Sequence, residues 1–173
     1  IRYPKTGEDN PIVSISILDL ENKEYRSVHL PDTAYYIPDI VWQKNSNNLY
    51  FVTLNRKQNN WNLYKYDFTT NGSDLVLNDS NDSWVDKKSF FTPNNDGSWT
   101  SRGGFSFAII ENGELVWISE KDGFKHIYRN RLDGRPINQI TRGEWEVNSI
   151  NAIDANNGII YFSAKKETET ENH

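Results

Sequence analysis

The strongest constraint on the fold is a repeated pair of short strands joined by tight turns. Apolar residues alternate with polar ones, as where Val13, Ile15 and Ile17 are interleaved with Ser14 and Ser16. A period of two is typical of a strand with one buried face. The same analysis predicts strands at 12–20, 49–54, 62–68, 115–119, 126–132 and 158–164. No segment carries the sustained 3.6-residue apolar stripe of a helix.

Turn signals separate these strands. They are Asn-Gly or Asp-Gly pairs, which favour hairpin turns because glycine readily adopts a positive φ. They lie at 71–72, 96–97, 112–113, 122–123, 133–134 and 157–158. The chain is therefore expected to consist of consecutive hairpins.

The hairpins repeat along the chain. Segments 50–53, 116–119 and 160–163 can be superposed, and the first two are each followed by a second strand. Leu20 and Phe68 end equivalent strands 48 residues apart, whereas Phe68 and Leu132 are 64 residues apart. The longer spacing predicts an insertion, which we place between Trp84 and Phe107.

A period of this length, built from paired hairpins, is typical of the blades of a β-propeller. The predicted fold is therefore all-β, with about three four-stranded blades in residues 1–173. A β-sandwich, which also has short strands and regular turns, is the alternative. The chain opens at Ile1, contains no methionine and stops within its last repeat. We therefore expect an internal piece of a longer propeller, with both ends falling within a blade.

Composition excludes several classes of function. Cysteine is absent, so disulfides, thiolate metal sites and a cysteine nucleophile are excluded. The net charge is −5, from 19 basic and 24 acidic residues. The basic residues form no stripe, so nucleic acid is not an expected partner.

A search for catalytic or metal-binding groups finds only weak patterns. Ser106 lies in G-F-S-F-A, but Ile109 and Ile110 continue as strand where a nucleophile elbow would lead into a helix. The cluster Asp74, Asp79, Asp82 and Asp86 lacks the tight spacing of a calcium loop. We interpret Ser106 as a strand residue and the aspartates as a solvated loop, and we expect no catalytic residue, metal site or cofactor.

The remaining conspicuous residues are predicted to have structural roles. His126 follows the Asp-Gly turn at 122–123 and is expected to make a structural hydrogen bond. Asn55 and Arg56 are expected to satisfy loop carbonyls. The tryptophans at equivalent places in the repeats are expected to pack in the core; they are Trp42, Trp84 and Trp145.

Three stretches carry a family resemblance. They are Y-P-K-T-G-E-D-N-P at 3–11, L-N-R-K-Q-N at 54–59 and S-E-K-D-G-F-K-H-I-Y at 119–128, the last followed by Q-I-T-R-G and W-E-V. In order and spacing they resemble the N-terminal region of the dipeptidyl peptidase IV family. Two departures are Lys121, where the family more often has arginine, and the poorly matching stretch 87–107.

The resemblance implies a serine exopeptidase that releases X-Pro or X-Ala dipeptides from the N-termini of peptides. Its eight-bladed propeller would support and gate the active-site cavity, while a C-terminal α/β-hydrolase domain would carry the Ser, Asp and His. Neither that domain nor the family's amine-binding glutamates, which lie upstream of Y-P-K, is within these 173 residues. The chain alone is therefore expected to be inactive.

The family also implies partners and one candidate site. In some members a loop after the W-V dipeptide approaches the substrate pocket, and here the loop after Trp84-Val85 would present Phe90 or Phe91 at the rim. Expected partners are peptide substrates, the α/β-hydrolase domain of the same chain and a second copy in a homodimer. The expected location is the periplasm or outside the cell of a bacterium. A non-enzymatic binding module and an inactive family member remain alternatives.

Overall fold

The computed structural model describes residues 7, 9, 11–31, 34–43, 48–86, 90–91, 99–110 and 113–165, and for 90–91 and 99–105 the backbone alone. Within these residues every regular element is a strand. In chain order the strands are β1 (Ile15–Leu18), β2 (Tyr25–Val28), β3 (Tyr36–Trp42), β4 (Leu49–Leu54), β5 (Asn60–Asp67), β6 (Gly72–Ser80), β7 (Phe90–Phe91), β8 (Trp99–Phe105), β9 (Phe107–Ile110), β10 (Glu114–Ser119), β11 (His126–Arg131), β12 (Pro136–Gln139), β13 (Glu146–Asp154) and β14 (Ile159–Lys165). The expectation of an all-β chain of hairpins is confirmed.

The chain divides into two compact units, residues 1–85 and 86–173. In the first unit, β3, β4, β5 and β6 form an antiparallel sheet in chain order, as in a propeller blade. Strands β1 and β2 form a separate pair. Both sheets contribute to one hydrophobic core, which contains Ile15, Val28, Leu49, Phe51 and Tyr66.

The second unit contains a second blade-like meander, β9 to β12, with β7 added beside β9. Strands β13 and β14 form the next hairpin, and β8 pairs with the other edge of β13. A cluster of buried aliphatic residues from both sheets forms a core of this unit. It contains Ala108, Ile110, Val116, Ile118, Ile127, Val147, Ile150 and Ile153.

The predicted insertion has a structure of its own. Two strands, β7 and β8, lie between Trp84 and Phe107, where the sequence indicated only a longer spacing. Strand β7 pairs with β9 in parallel, whereas β8 pairs with β13. Each joins a sheet that begins later in the chain, so neither pairing can be inferred from local sequence.

Several predictions at single positions need correction. Ser106, predicted as a strand residue, lies at a bend between β8 and β9, and its carbonyl accepts a 2.8 Å hydrogen bond from the Ile118 amide. Asp74 and Asp79, predicted in a solvated loop, belong to β6. Asp79 is 8% exposed and is paired in register with the buried Trp61 of β5.

The predicted strand at 12–20 is also shorter than expected. Strand β1 ends at Leu18, where the chain enters a turn. The Asp19 amide donates to the Glu24 carbonyl at 3.0 Å, and the Asp19 carboxylate accepts a 2.8 Å hydrogen bond from the Glu21 amide inside the turn.

The tryptophan prediction is correct at one of three positions. Trp145 stacks on Phe162 and packs against the core of the second unit. Trp42 and Trp84 are each 50% exposed. Trp42 lies on the edge strand β3, and its ring contacts the ring of Phe68, with centroids 5.4 Å apart.

Candidate functional site

The predicted rim residues form the two-residue strand β7. Phe90 is paired with Phe107 and Phe91 with Ala108, so β7 is the edge strand of its sheet. Phe107 and Ala108 are 1% and 0% exposed, so β7 pairs with buried positions of β9. The structure thus gives the backbone position of the predicted rim residues. Their role in substrate binding stays a prediction.

The turn between β10 and β11 lies in the same unit and carries the S-E-K-D-G-F-K-H-I-Y motif. Gly123 has the positive φ predicted for it, +99°, and its amide donates a 2.8 Å hydrogen bond to the Glu120 carbonyl. The Lys121 amide donates to the Ser119 hydroxyl at 3.2 Å. These bonds hold the polar residues of the motif at one end of the sheet.

Asp122 is fixed by a neutral donor, the side-chain amide of Gln139, which donates to its carboxylate at 2.5 Å. Partial burial raises the pKa of Asp122, but the nearby Tyr128 hydroxyl and the Gln139 hydrogen bond favour the charged carboxylate and outweigh burial, so the pKa is below its usual range. The Lys121 ammonium lies 3.8 Å from the centre of the Tyr128 ring, within the range of a cation–π contact.

His126 has the structural role that the sequence predicted. Its side chain is 1% exposed, and its Nε2 lies 2.9 Å from the Gly143 carbonyl, so Nε2 carries the proton and donates. Nδ1 lies 3.1 Å from the Thr141 hydroxyl, which also accepts a hydrogen bond from the Ile127 amide. The hydroxyl proton is therefore available to Nδ1, and both ring nitrogens are satisfied.

Lys125 joins three segments of the second unit. Its ammonium forms an ion pair with Asp86 and lies 3.4 Å from a carboxylate oxygen of Glu120. Its backbone carbonyl accepts a 2.8 Å hydrogen bond from the Val147 amide of β13. Burial lowers the pKa of Lys125, but the hydrogen bonds and charges of the two carboxylates outweigh it and raise the pKa above its usual value. Sequence reasoning missed this pair, since Asp86 and Lys125 are far apart in the chain.

A cleft of about 330 Å³ is formed by β9 to β14 in the same unit. Its polar side is an ion pair in which Arg129 Nε and Nη2 both donate to one oxygen of Glu114, at 3.1 and 2.6 Å. Ile140, Ile160 and Phe162 form part of its apolar side.

Ser106 is followed by β9, not by a helix, so it has no nucleophile elbow. The part of the chain that the structure describes holds no group of three metal-ligating side chains, and it has no helix long and apolar enough to cross a membrane.

Comparisons with known proteins add the family context. The family model described as "Dipeptidyl peptidase IV (DPP IV) N-terminal region" matches residues 1–173. A probable dipeptidyl-aminopeptidase B of Aspergillus niger is 30% identical over 185 residues, covering 100% of this chain and 19% of its own length. Dipeptidyl peptidase 4 of Arthroderma otae is 27% identical, covering 100% of this chain and 21% of its own length.

Solved structures agree with these matches. The crystal structure of Porphyromonas gingivalis dipeptidyl peptidase 4 has a TM-score of 0.77 and 31% identity, covering 99% of this chain and 22% of that one. A putative dipeptidyl aminopeptidase IV from Bacteroides ovatus, 18% identical, has a TM-score of 0.67 over 95% of this chain and 24% of that one, and shows the fold alone. The chain spans about a fifth of the length of the curated relatives it matches.

Proposed function

The chain belongs to the family of dipeptidyl peptidase IV N-terminal regions, and from this membership we propose that it is a propeller segment of a serine exopeptidase. The parent enzyme releases X-Pro or X-Ala dipeptides from the N-termini of peptides. The observation that carries the proposal is the match of the family model along the whole chain.

In this proposal the segment supports and gates the active-site cavity and does no chemistry itself. An α/β-hydrolase domain elsewhere in the longer chain supplies the Ser, Asp and His. This division of roles is supported by the family match, which is to an N-terminal region.

Phe90 and Phe91 form part of the rim of the substrate pocket in this proposal. The support is positional: β7 follows Trp84-Val85, as the rim loop does in the family, and it is held on a buried strand. The parent enzyme is further proposed to be a homodimer exported by a bacterium.

The first test is an activity assay of the full parent chain with chromogenic Gly-Pro and Ala-Ala substrates, with residues 1–173 alone as the control. We expect release of the chromophore by the parent and none by the segment. A folded parent that is silent on both substrates would overturn the peptidase proposal and favour a binding module or an inactive relative.

The rim assignment needs its own variants. In the parent, Phe90→Ala and Phe91→Ala are expected to raise KM more than they lower kcat. Tyr161→Ala, which removes a 54% exposed ring from β14, is the matched control and is expected to leave both constants unchanged. Wild-type KM in both phenylalanine variants would remove these residues from the rim.

A further inference from the structure

We propose that Lys125 is a positioning residue for the substrate-pocket rim, because its ammonium fixes Asp86 where the chain leads into β7. This inference rests on the proposed function, since the rim matters only if the parent binds peptides. Neither Lys125 nor Asp86 takes part in catalysis. Their role is to fix the position of the strand that contains Phe90 and Phe91.

Lys125 is itself firmly placed. It lies in the turn between β10 and β11, and its carbonyl is bonded to the Val147 amide of the neighbouring sheet at 2.8 Å. The side chain is 27% exposed, and two carboxylates, Asp86 and Glu120, face its ammonium. A cation held by two sheets and shared by two carboxylates is more restrained than an ordinary surface pair.

Strand β7 needs such an anchor. It is only two residues long and pairs with one neighbour, β9. A ladder this short provides few hydrogen bonds to oppose fraying. Asp86 precedes Phe90 by four residues, so a fixed Asp86 keeps the Phe90 backbone within about 14 Å, the span of an extended chain of that length.

The charge state suits this role. The carboxylates that face Lys125 raise its pKa, so the ammonium persists throughout the neutral range. Because the three side chains are between 27% and 45% exposed, salt weakens the pair without abolishing it.

The test uses the full parent chain with Lys125→Met and Asp86→Asn. Both variants are expected to raise KM for Gly-Pro substrates about two- to fivefold, the range of a partly exposed ion pair. The value of kcat and the melting temperature should change little. In the wild type, KM should rise toward the variant value as salt is added, and the swap Asp86→Lys with Lys125→Asp should restore part of the loss.

Arg135→Met is the matched control. It removes another long cationic side chain, from an ion pair with Asp133 that lies in a turn of the same unit and is 74% exposed at the arginine. This variant is expected to leave KM at the wild-type value. An unchanged KM in both Lys125→Met and Asp86→Asn would overturn the inference.

A second readout separates this inference from the proposed function. Amide hydrogen exchange at Phe90 and Phe91 is expected to be at least several-fold faster in Lys125→Met and unchanged in Arg135→Met. An inactive parent with this exchange pattern would overturn the peptidase proposal but keep the anchor. Equal exchange in the wild type and Lys125→Met would overturn the anchor, whatever the activity.

Discussion

Gly143 illustrates how a single position can hold a buried histidine in place. Its φ is +127°, and a Cβ added there would lie 2.5 Å from Nε1 of Trp145, the ring that packs edge-on against His126. Gly143→Ala is therefore expected to lower the free energy of unfolding of the chain by about 1–3 kcal/mol, measured by urea denaturation. The strained backbone and the displaced indole both contribute.

Gly123→Ala is the control for that measurement. Gly123 also has a positive φ, +99°, but no atom lies within 4 Å of the added Cβ. Only the backbone strain of about 1 kcal/mol should remain. Equal losses in the two variants would show that contact with Trp145 contributes nothing.

Tyr50 gives a prediction of opposite sign. The residue is 1% exposed, and its hydroxyl has no hydrogen-bond partner among the described residues. Leaving such a group buried costs about 1–3 kcal/mol, so Tyr50→Phe should leave the chain equally or more stable. Tyr66→Phe is the control, because the Tyr66 hydroxyl donates a 2.5 Å hydrogen bond to Asn71 and its loss should destabilise.

Tyr50 also makes the free energy of unfolding depend on pH in the alkaline range. Burial raises the pKa of Tyr50 to about 12, above its ordinary 10.0. A group whose pKa is raised by folding contributes its full stability below pH 10 and loses it as the pH rises toward 12. Above pH 10 the wild type should therefore lose more stability than Tyr50→Phe, and parallel pH profiles would contradict this account.

The role of a single residue was predicted correctly where its sequence context favoured one role clearly. His126 at a strand start after an Asp-Gly turn had an evident structural reading, and its two hydrogen bonds agree with it. The exposed Trp42 and Trp84 were mispredicted because large rings indicate burial only on average. Whether a ring lies on an edge strand depends on sheet order, which its own sequence context does not encode.

At the scale of elements, the hairpin between β4 and β5 depends on Asn55. Sequence reasoning assigned it to loop carbonyls, but its Oδ1 accepts hydrogen bonds from the amides of Asn59 and Asn60, at 3.0 and 3.1 Å. The side chain thus replaces backbone acceptors inside a turn where Gln58 has a φ of +55°.

Asn55→Ala is expected to destabilise the chain by about 1–2 kcal/mol, because two turn amides lose their acceptor. Asn55→Asp keeps an oxygen in the same place and should lose less. Thermal denaturation of the two variants measures the difference. An alanine variant as stable as the aspartate variant would mean that water replaces the carbonyl oxygen without cost.

Strands and turns were predictable wherever the information is local. The alternation of apolar and polar residues predicted β4, β5, β10 and β11, and the Asp-Gly pair predicted the turn at Gly123. Strands β7 and β8 were not predictable, since their partners Phe107 and Ile150 lie in other hairpins. The anchor between Asp86 and Lys125 was missed for the same reason.

At the scale of the whole molecule, unpaired edges and exposed apolar side chains predict self-association of residues 1–173. Strand β14 has no partner on its outer side among the described residues, and it exposes Ile159, Tyr161 and Phe162 by 43%, 54% and 37%. An edge of this kind is a template for pairing with another chain.

Light scattering over a range of concentrations measures this association. We expect species larger than a monomer, and Tyr161→Lys, which places a charge on the edge strand, should reduce them. Leu20→Lys is the control, since Leu20 is also exposed, by 73%, but lies in a turn outside any strand. A concentration-independent monomer with one cooperative unfolding transition would contradict the prediction.

The pairing of β8 with β13 also has a consequence for synthesis on the ribosome. Thr100 is translated about fifty residues before its partner Ala152, whereas β5 follows β4 almost at once. At about 5–20 residues per second, β8 waits roughly 3–10 s for its partner to be made. During that interval the nascent chain carries β8 without its partner strand.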